Sequence, residues 1–169
     1  SVALNRIIGN NASNIYGQLN ANGQVFLVNP NGITFAKGAQ VNVGGLVAST
    51  LDIDNADFMD GNYRFNATNI KGKVTNLGQI NASTIALLGN QVTNQGWIVA
   101  NVDNGPNGDV ALVAADDVTI KFGRNKRLGV KVNRGTVNAL VENKQLIQAD
   151  GGTILLRAEA ANALMGAAV

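Results

Sequence analysis

Side chains able to do chemistry are few in this chain. None of the 169 residues is Cys or His. That excludes disulfides, thiolate and imidazole metal sites, and Cys- or His-dependent catalysis. Carboxylates remain. Asp52, Asp54, Asp57 and Asp60 fall at short spacings. The run lacks the Gly at the sixth place and the Glu at the twelfth that an EF-hand loop requires, so these residues read as solvated turn positions. Asp116-Asp117 has the residue type of a glycoside-hydrolase pair. Strand neighbours point to opposite faces, so the two are badly placed to share a substrate. Gly105–Asp109 occurs once, without the repetition that Ca²⁺-binding solenoids need. No metal and no cofactor is expected. Lys121, Arg124, Lys126, Arg127, Lys131 and Arg134 cluster loosely, with no aromatic platform among them. With 13 bases against 11 acids the chain is also nearly balanced, and nucleic-acid binding is not expected.

What organises these residues is backbone rather than chemistry. Gln24–Thr50 reads QVFLVNPNGITFAKGAQVNVGGLVAST. An apolar run meets Asn29-Pro30-Asn31-Gly32, then alternating Ile33/Phe35 and Val41/Val43 segments are separated by Lys37-Gly38. Pro at the second place and Gly at the fourth predict a type I turn. Short strands punctuated by Asn and Gly, with no helical period, suit a chain wound into stacked parallel strands. Aromatics make up only 5% against 46% hydrophobic residues, so the core is expected to be aliphatic and thin-layered.

Repeats support the same reading. Val74-x-Asn76-x-Gly78-x-Ile80-x-Ala82 recurs 18 residues later as Val92-x-Asn94-x-Gly96-x-Ile98-x-Ala100. A degenerate copy, Val141-x-Asn143-x-Gln145-x-Ile147-x-Ala149, has Gln145 in the Gly place. Apolar strands follow each copy. A unit this small cannot hide its own apolar face, but stacked units share one column. About eight coils would fit, a rod roughly 40 Å long at the usual strand spacing. Asn29, Asn31, Asn76 and Asn94 are expected in turns, where Asn tolerates left-handed angles, and an Asn repeated at one coil position can form an amide ladder.

Two stretches break the rhythm, Asp52–Phe65 and Phe122–Val137, and read as excursions forming small β-hairpins on the side of the coil. Asn104–Gly108 reads as a loop. Trp97 is expected to pack under an excursion. Sequons at Asn11, Asn66 and Asn81 are explained by chance in an Asn-rich chain. The abrupt start at Ser1 and the apolar Ala160–Val169 suggest one β-helix domain, 1–169, cut from a longer protein. Neither a signal peptide nor a run of 18 apolar residues is present.

The stretches VFLVNPNGITF (Val25–Phe35), GAQVNVGGLVASTLDI (Gly38–Ile53) and IQADGGTILLRAEAANAL (Ile147–Leu164) resemble the amino-terminal secretion domain of two-partner-secreted exoproteins, the filamentous haemagglutinin-like adhesins. The resemblance implies an all-β, right-handed parallel β-helix with extra-helical hairpins. It also implies a secretion signal recognised by an outer-membrane β-barrel transporter with periplasmic POTRA domains. By the same resemblance, Asn29, Pro30, Asn31 and Gly32 match one family motif; a second, NPNL, has no counterpart. The product would be secreted through the periplasm of a Gram-negative bacterium to its surface or beyond, and host surfaces or glycans would be met through the passenger.

Three functional classes follow. The first is a non-enzymatic secretion and structural module, in which the NPNG turn holds strands in register and lies near the surface the transporter reads. The second is a carbohydrate-active enzyme on the same coil, since lyases share the fold. The third is a fibre subunit stacking end to end through open strand edges.

Overall fold

A computed structural model of the protein describes residues 1–101, 108–123 and 127–161. The chain climbs in three-sided coils. The first contains β1 (Val2–Arg6), β2 (Ser13–Ile15) and β3 (Gln18–Asn20), and the second β4 (Gln24–Val28), β5 (Ile33–Phe35) and β6 (Gln40–Asn42). The third begins with β7 (Gly45–Ser49) and leaves the coil through β8 (Asp52–Ile53), α1 (Asn55–Met59) and β9 (Tyr63–Asn66). It returns as β10 (Lys73–Asn76) and β11 (Gln79–Ala82). The fourth holds β12 (Thr84–Gly89), β13 (Gln91–Asn94) and β14 (Trp97–Ala100). The fifth opens with β15 (Asp109–Ala114), detours through β16 (Asp117–Phe122) and β17 (Leu128–Arg134), and closes with β18 (Leu140–Asn143) and β19 (Leu146–Ala149). β20 (Ile154–Ala158) starts a sixth.

Three parallel sheets form the faces: β1-β4-β7-β12-β15-β20, β2-β5-β10-β13-β18 and β3-β6-β11-β14-β19. This is a parallel β-helix with extra-helical elements, as expected. Aliphatic columns line its axis. Val25, Leu46, Ile85 and Val110 stack on the first face, Ile33, Val74, Val92 and Val141 on the second, and Leu19, Val41, Ile80, Ile98 and Ile147 on the third. One buried cluster joins them.

The expected eight coils are five plus one strand among the described residues, about 24 Å of stack at a rung of about 4.8 Å. The excursions explain the shortfall, because they consume chain without adding height. They are also not two separate hairpins. β17-β16-β9-β8 form one antiparallel sheet, and Val118 faces Phe65 across it. That sheet covers the outside of the first face, so β7, β12 and β15 are buried at every position. Parallel strands covered on both sides read as continuous apolar runs, and these do. A second core lies between the layers, and here the aromatics gather. Phe26 sits 5.4 Å from Phe58, 4.9 Å from Tyr63 and 6.2 Å from Phe65, centroid to centroid. Asp54 caps α1 by accepting from the Ala56 amide. Asn104–Asn107, Arg124, Lys126 and the last residues of the third family-like stretch, Asn162–Leu164, lie outside the described residues.

Candidate functional site

The NPNG segment turns the corner between β4 and β5. Gly32 N donates to Asn29 O at 3.1 Å, the bond of a four-residue turn. Asn31 has a negative φ, which makes the turn type I rather than type II. Gly32 has φ 127°, a region closed to most side chains. Asn29 is buried, and its amide is fully used. Nδ2 donates to Asn11 O at 2.9 Å and to Ser13 Oγ at 2.8 Å, while Oδ1 accepts from Asn31 N at 3.0 Å. Asn31 Nδ2 reaches back to Gly9 O at 2.8 Å. The turn is therefore a staple fixing the Ile7–Ala12 connection of the first coil onto the second. Beside it lies a cleft of about 310 Å³, whose walls include Ile7, Ile8, Pro30, Asn31 and Ile70. Ile8 is 92% exposed.

Asn76, Gly78, Asn94, Gly96 and Asn143 meet at the corner between the second and third faces. Asn76 Nδ2 donates to Asn94 Oδ1 at 2.9 Å, and Asn94 Nδ2 to Asn143 Oδ1 at 2.9 Å. Each carboxamide oxygen also accepts the amide two residues on: Gly78 N at 3.0 Å, Gly96 N at 3.1 Å, Gln145 N at 3.4 Å. The expected ladder exists, but the expected left-handed backbone does not. Asn138 is the only non-Gly residue with positive φ among the described residues. These Asn close strands and use extended backbone to aim their amides along the stack. The paired glycines serve space, not φ. A Cβ on Gly78 would stand 2.6 Å from Ala39 O, and one on Gly96 would collide with Gly78 O. Gln145 carries that Cβ, and its coil rides looser: Leu146 N to Gly96 O is 3.3 Å where Trp97 N to Gly78 O is 2.9 Å.

The carboxylates are paired apart from one another. Asp117 takes a two-pronged bond from Arg64, Nε at 3.1 Å and Nη2 at 2.7 Å, plus Asn133 Nδ2 at 3.0 Å. Arg64 chiefly, by this hydrogen bond, holds the Asp117 carboxyl below its ordinary 3.8; burial opposes the shift, and Asn133 and the Arg64 and Arg134 charges add to it. The same contact raises the Arg64 guanidinium above its ordinary value. Asp116 instead faces Lys71 Nζ at 3.0 Å. Asp52 accepts from Arg6 Nε at 3.0 Å. Buried Asp109, which the sequence offered only as the end of the dismissed Gly105–Asp109 stretch, ties the second excursion to the coil: Leu128 N donates to Oδ2 and Thr153 N to Oδ1, each at 2.8 Å. No group of three or more acidic residues positioned for a metal occurs among the described residues. Trp97 is not under an excursion. It projects from the third face, whose outer side no excursion covers among the described residues, and is 52% exposed.

The family model described as "TPS secretion domain" matches residues 1–169. The chain belongs to that family. The TPS chain is 35% identical to a heme/hemopexin-binding protein of Haemophilus influenzae, over 96% of its own length and 18% of that protein. A second heme/hemopexin-binding protein of the same species is 49% identical over 65 residues, 38% of this chain and 7% of the other. The TPS chain thus spans under a fifth of the curated relatives it matches. The HMW1 secretion domain from Haemophilus influenzae superposes with a TM-score of 0.75 at 28% identity, covering 95% of this chain and 50% of that one. TPS domains are secretion modules of exported Gram-negative exoproteins, the class to which this chain therefore belongs.

Proposed function

We propose that residues 1–169 act as one non-enzymatic secretion unit at the head of a much larger exoprotein. A partner outer-membrane transporter recognises this unit through its periplasmic POTRA domains. The unit then coils into its β-helix outside, which helps draw the chain through the pore. The passenger, in the remaining length, carries whatever meets host surfaces, glycans or haem, and the product works at or beyond the bacterial surface.

One observation carries the role of Asn29, Pro30, Asn31 and Gly32. The turn spends its polar groups on the first coil, and so sets the shape of the exposed Ile7, Ile8 and Ile70 cleft beside it. Family membership supplies the transporter. The non-enzymatic reading is supported by carboxylates that each engage their own partner: Lys71 for Asp116, Arg64 for Asp117 and Arg6 for Asp52.

Export from cells carrying the partner transporter tests this reading. Changing Asn29–Gly32 to four alanines is expected to abolish export and lower stability together. Export and folding that both survive this change would overturn the motif assignment.

A further inference from the structure

Trp97 is the one tryptophan of the chain, and its indole stands half in solvent. Its register neighbours on the outer side of the third face form a column. Gln18, Gln40 and Gln79 lie on preceding coils and Leu146 on the next. Gln95 and Gln145 approach from the adjoining corner. A cleft of about 300 Å³ is lined by Lys37, Gln40, Gln79, Gln95, Trp97 and Gln145, among others, with no carboxylate among the described residues of its wall.

The amides here differ from those one column over. Asn42 Nδ2 bonds Asn20 Oδ1 at 3.4 Å, and Asn81 Nδ2 bonds Asn42 Oδ1 at 3.3 Å, so that column satisfies itself. The side chains of Gln40, Gln79, Gln95 and Gln145 are exposed and make no hydrogen bond to protein among the described residues. Each offers two donors and an acceptor to a ligand. An aromatic face flanked by convergent neutral hydrogen-bonding groups fits a pyranose, whose C–H face packs on the ring while its hydroxyls meet the amides. A polyanion would need more cations than Lys37. A protein partner would need a broader apolar centre than Leu77, Trp97 and Leu146 supply.

We propose that Trp97, with Gln40, Gln79 and Gln95, binds a neutral glycan lying along the stacking direction. From Gln40 to Trp97 is two rungs, about 10 Å, which suits a disaccharide unit. The site faces away from the NPNG corner and stands independently of the export reading.

With a single tryptophan, emission excited selectively at the indole, apart from the two tyrosines, reports on the site alone. The 169-residue protein is titrated with the neutral hexasaccharides of cellulose, chitin and amylose. A saturable shift of the emission with at least one of them is expected. By calorimetry, Trp97→Ala should weaken that binding about tenfold or more, and Trp97→Tyr should keep much of it. Gln79→Ala should weaken it several-fold while leaving the indole and the melting curve unchanged. No spectral response to any of the three sugars up to millimolar concentration would overturn the proposal. So would binding that is unchanged in both Trp97→Ala and Gln79→Ala.

Discussion

Asn76 and Asn94, 18 residues apart in sequence, are joined by a 2.9 Å amide–amide bond between two fully buried side chains. The bond runs along the stacking direction, so one side chain links two coils while also holding its own corner. Asn94 continues the chain to Asn143 and accepts from Gly96.

Asn94→Ala removes the middle rung. It leaves the Gly96 N–H buried without its acceptor, and takes from the Asn76 amide the shortest of its bonds while those to Gly78 O and Trp97 O remain. An orphaned buried group costs about 1–3 kcal/mol and a lost hydrogen bond about 1 kcal/mol, so a loss of about 2–4 kcal/mol is expected in urea unfolding. Asn143 ends the ladder in solvent, and Asn143→Ala should cost about 1 kcal/mol or less.

The corner glycines should resist any side chain. Gly96→Ala drives a Cβ into the Gly78 carbonyl, and backbone must shift to admit it. A loss of about 3 kcal/mol or more is expected, with reduced soluble yield. Gln145→Gly should be tolerated or mildly stabilising, measured as the change in urea midpoint.

At the NPNG staple, Asn29→Ala strips bonds to Asn11, Ser13 and Asn31. A cost of about 2–3 kcal/mol is expected. Gly32→Ala is strained by its φ of 127° and should cost about 1–3 kcal/mol. Thermal melts of the two single variants and the double variant check both values, and the double loss should be less than additive because the residues share one turn.

Asp117 has a folded-state carboxyl held below 3.8, chiefly by Arg64. Its contribution to stability is therefore fully present above the unfolded-state value. It is lost as pH falls from about 4 downward through the folded value. Urea midpoints taken from pH 6 to pH 2 should drop in this window, and Asp117→Asn should flatten the drop. An equal slope in the variant would assign the acid sensitivity elsewhere.

Phe26 sits where coil and side sheet meet, against Phe58, Tyr63 and Phe65. Phe26→Ala should cost about 3–5 kcal/mol in a single cooperative unfolding transition. A separate early transition of the side sheet would mean that the two layers fold apart.

The repeat was the legible part of this molecule. Val74, Val92 and Val141, matched in sequence, stack in register, as do Ile80, Ile98 and Ile147. Identical spacing leaves only one pairing that keeps every aliphatic residue inside. The side sheet was not legible. Arg64 and Asp117 meet across 53 residues of chain, and antiparallel pairing between two irregular excursions has no period to betray it. Counting residues per coil therefore overestimated the number of coils. The aromatic core around Phe26 escaped the expectation of an aliphatic interior for the same reason, since rings on the outside of the coil are buried only where a second layer covers them. Covered Phe26 and uncovered Trp97 differ only in whether a sheet lies over their face. The turn at Asn29 was read correctly because Pro and Gly constrain the backbone locally.

A folded head that addresses its exoprotein to a transporter must bind that transporter's periplasmic domains. Calorimetric titration of the purified protein with the partner's purified periplasmic domains tests it most directly, with circular dichroism confirming that the protein is β-folded. Saturable binding is predicted, weakened in the Ile8→Ser variant while its melting curve stays unchanged. Fully folded protein that gives no binding heat at any concentration, with no complex by size-exclusion chromatography, would contradict it.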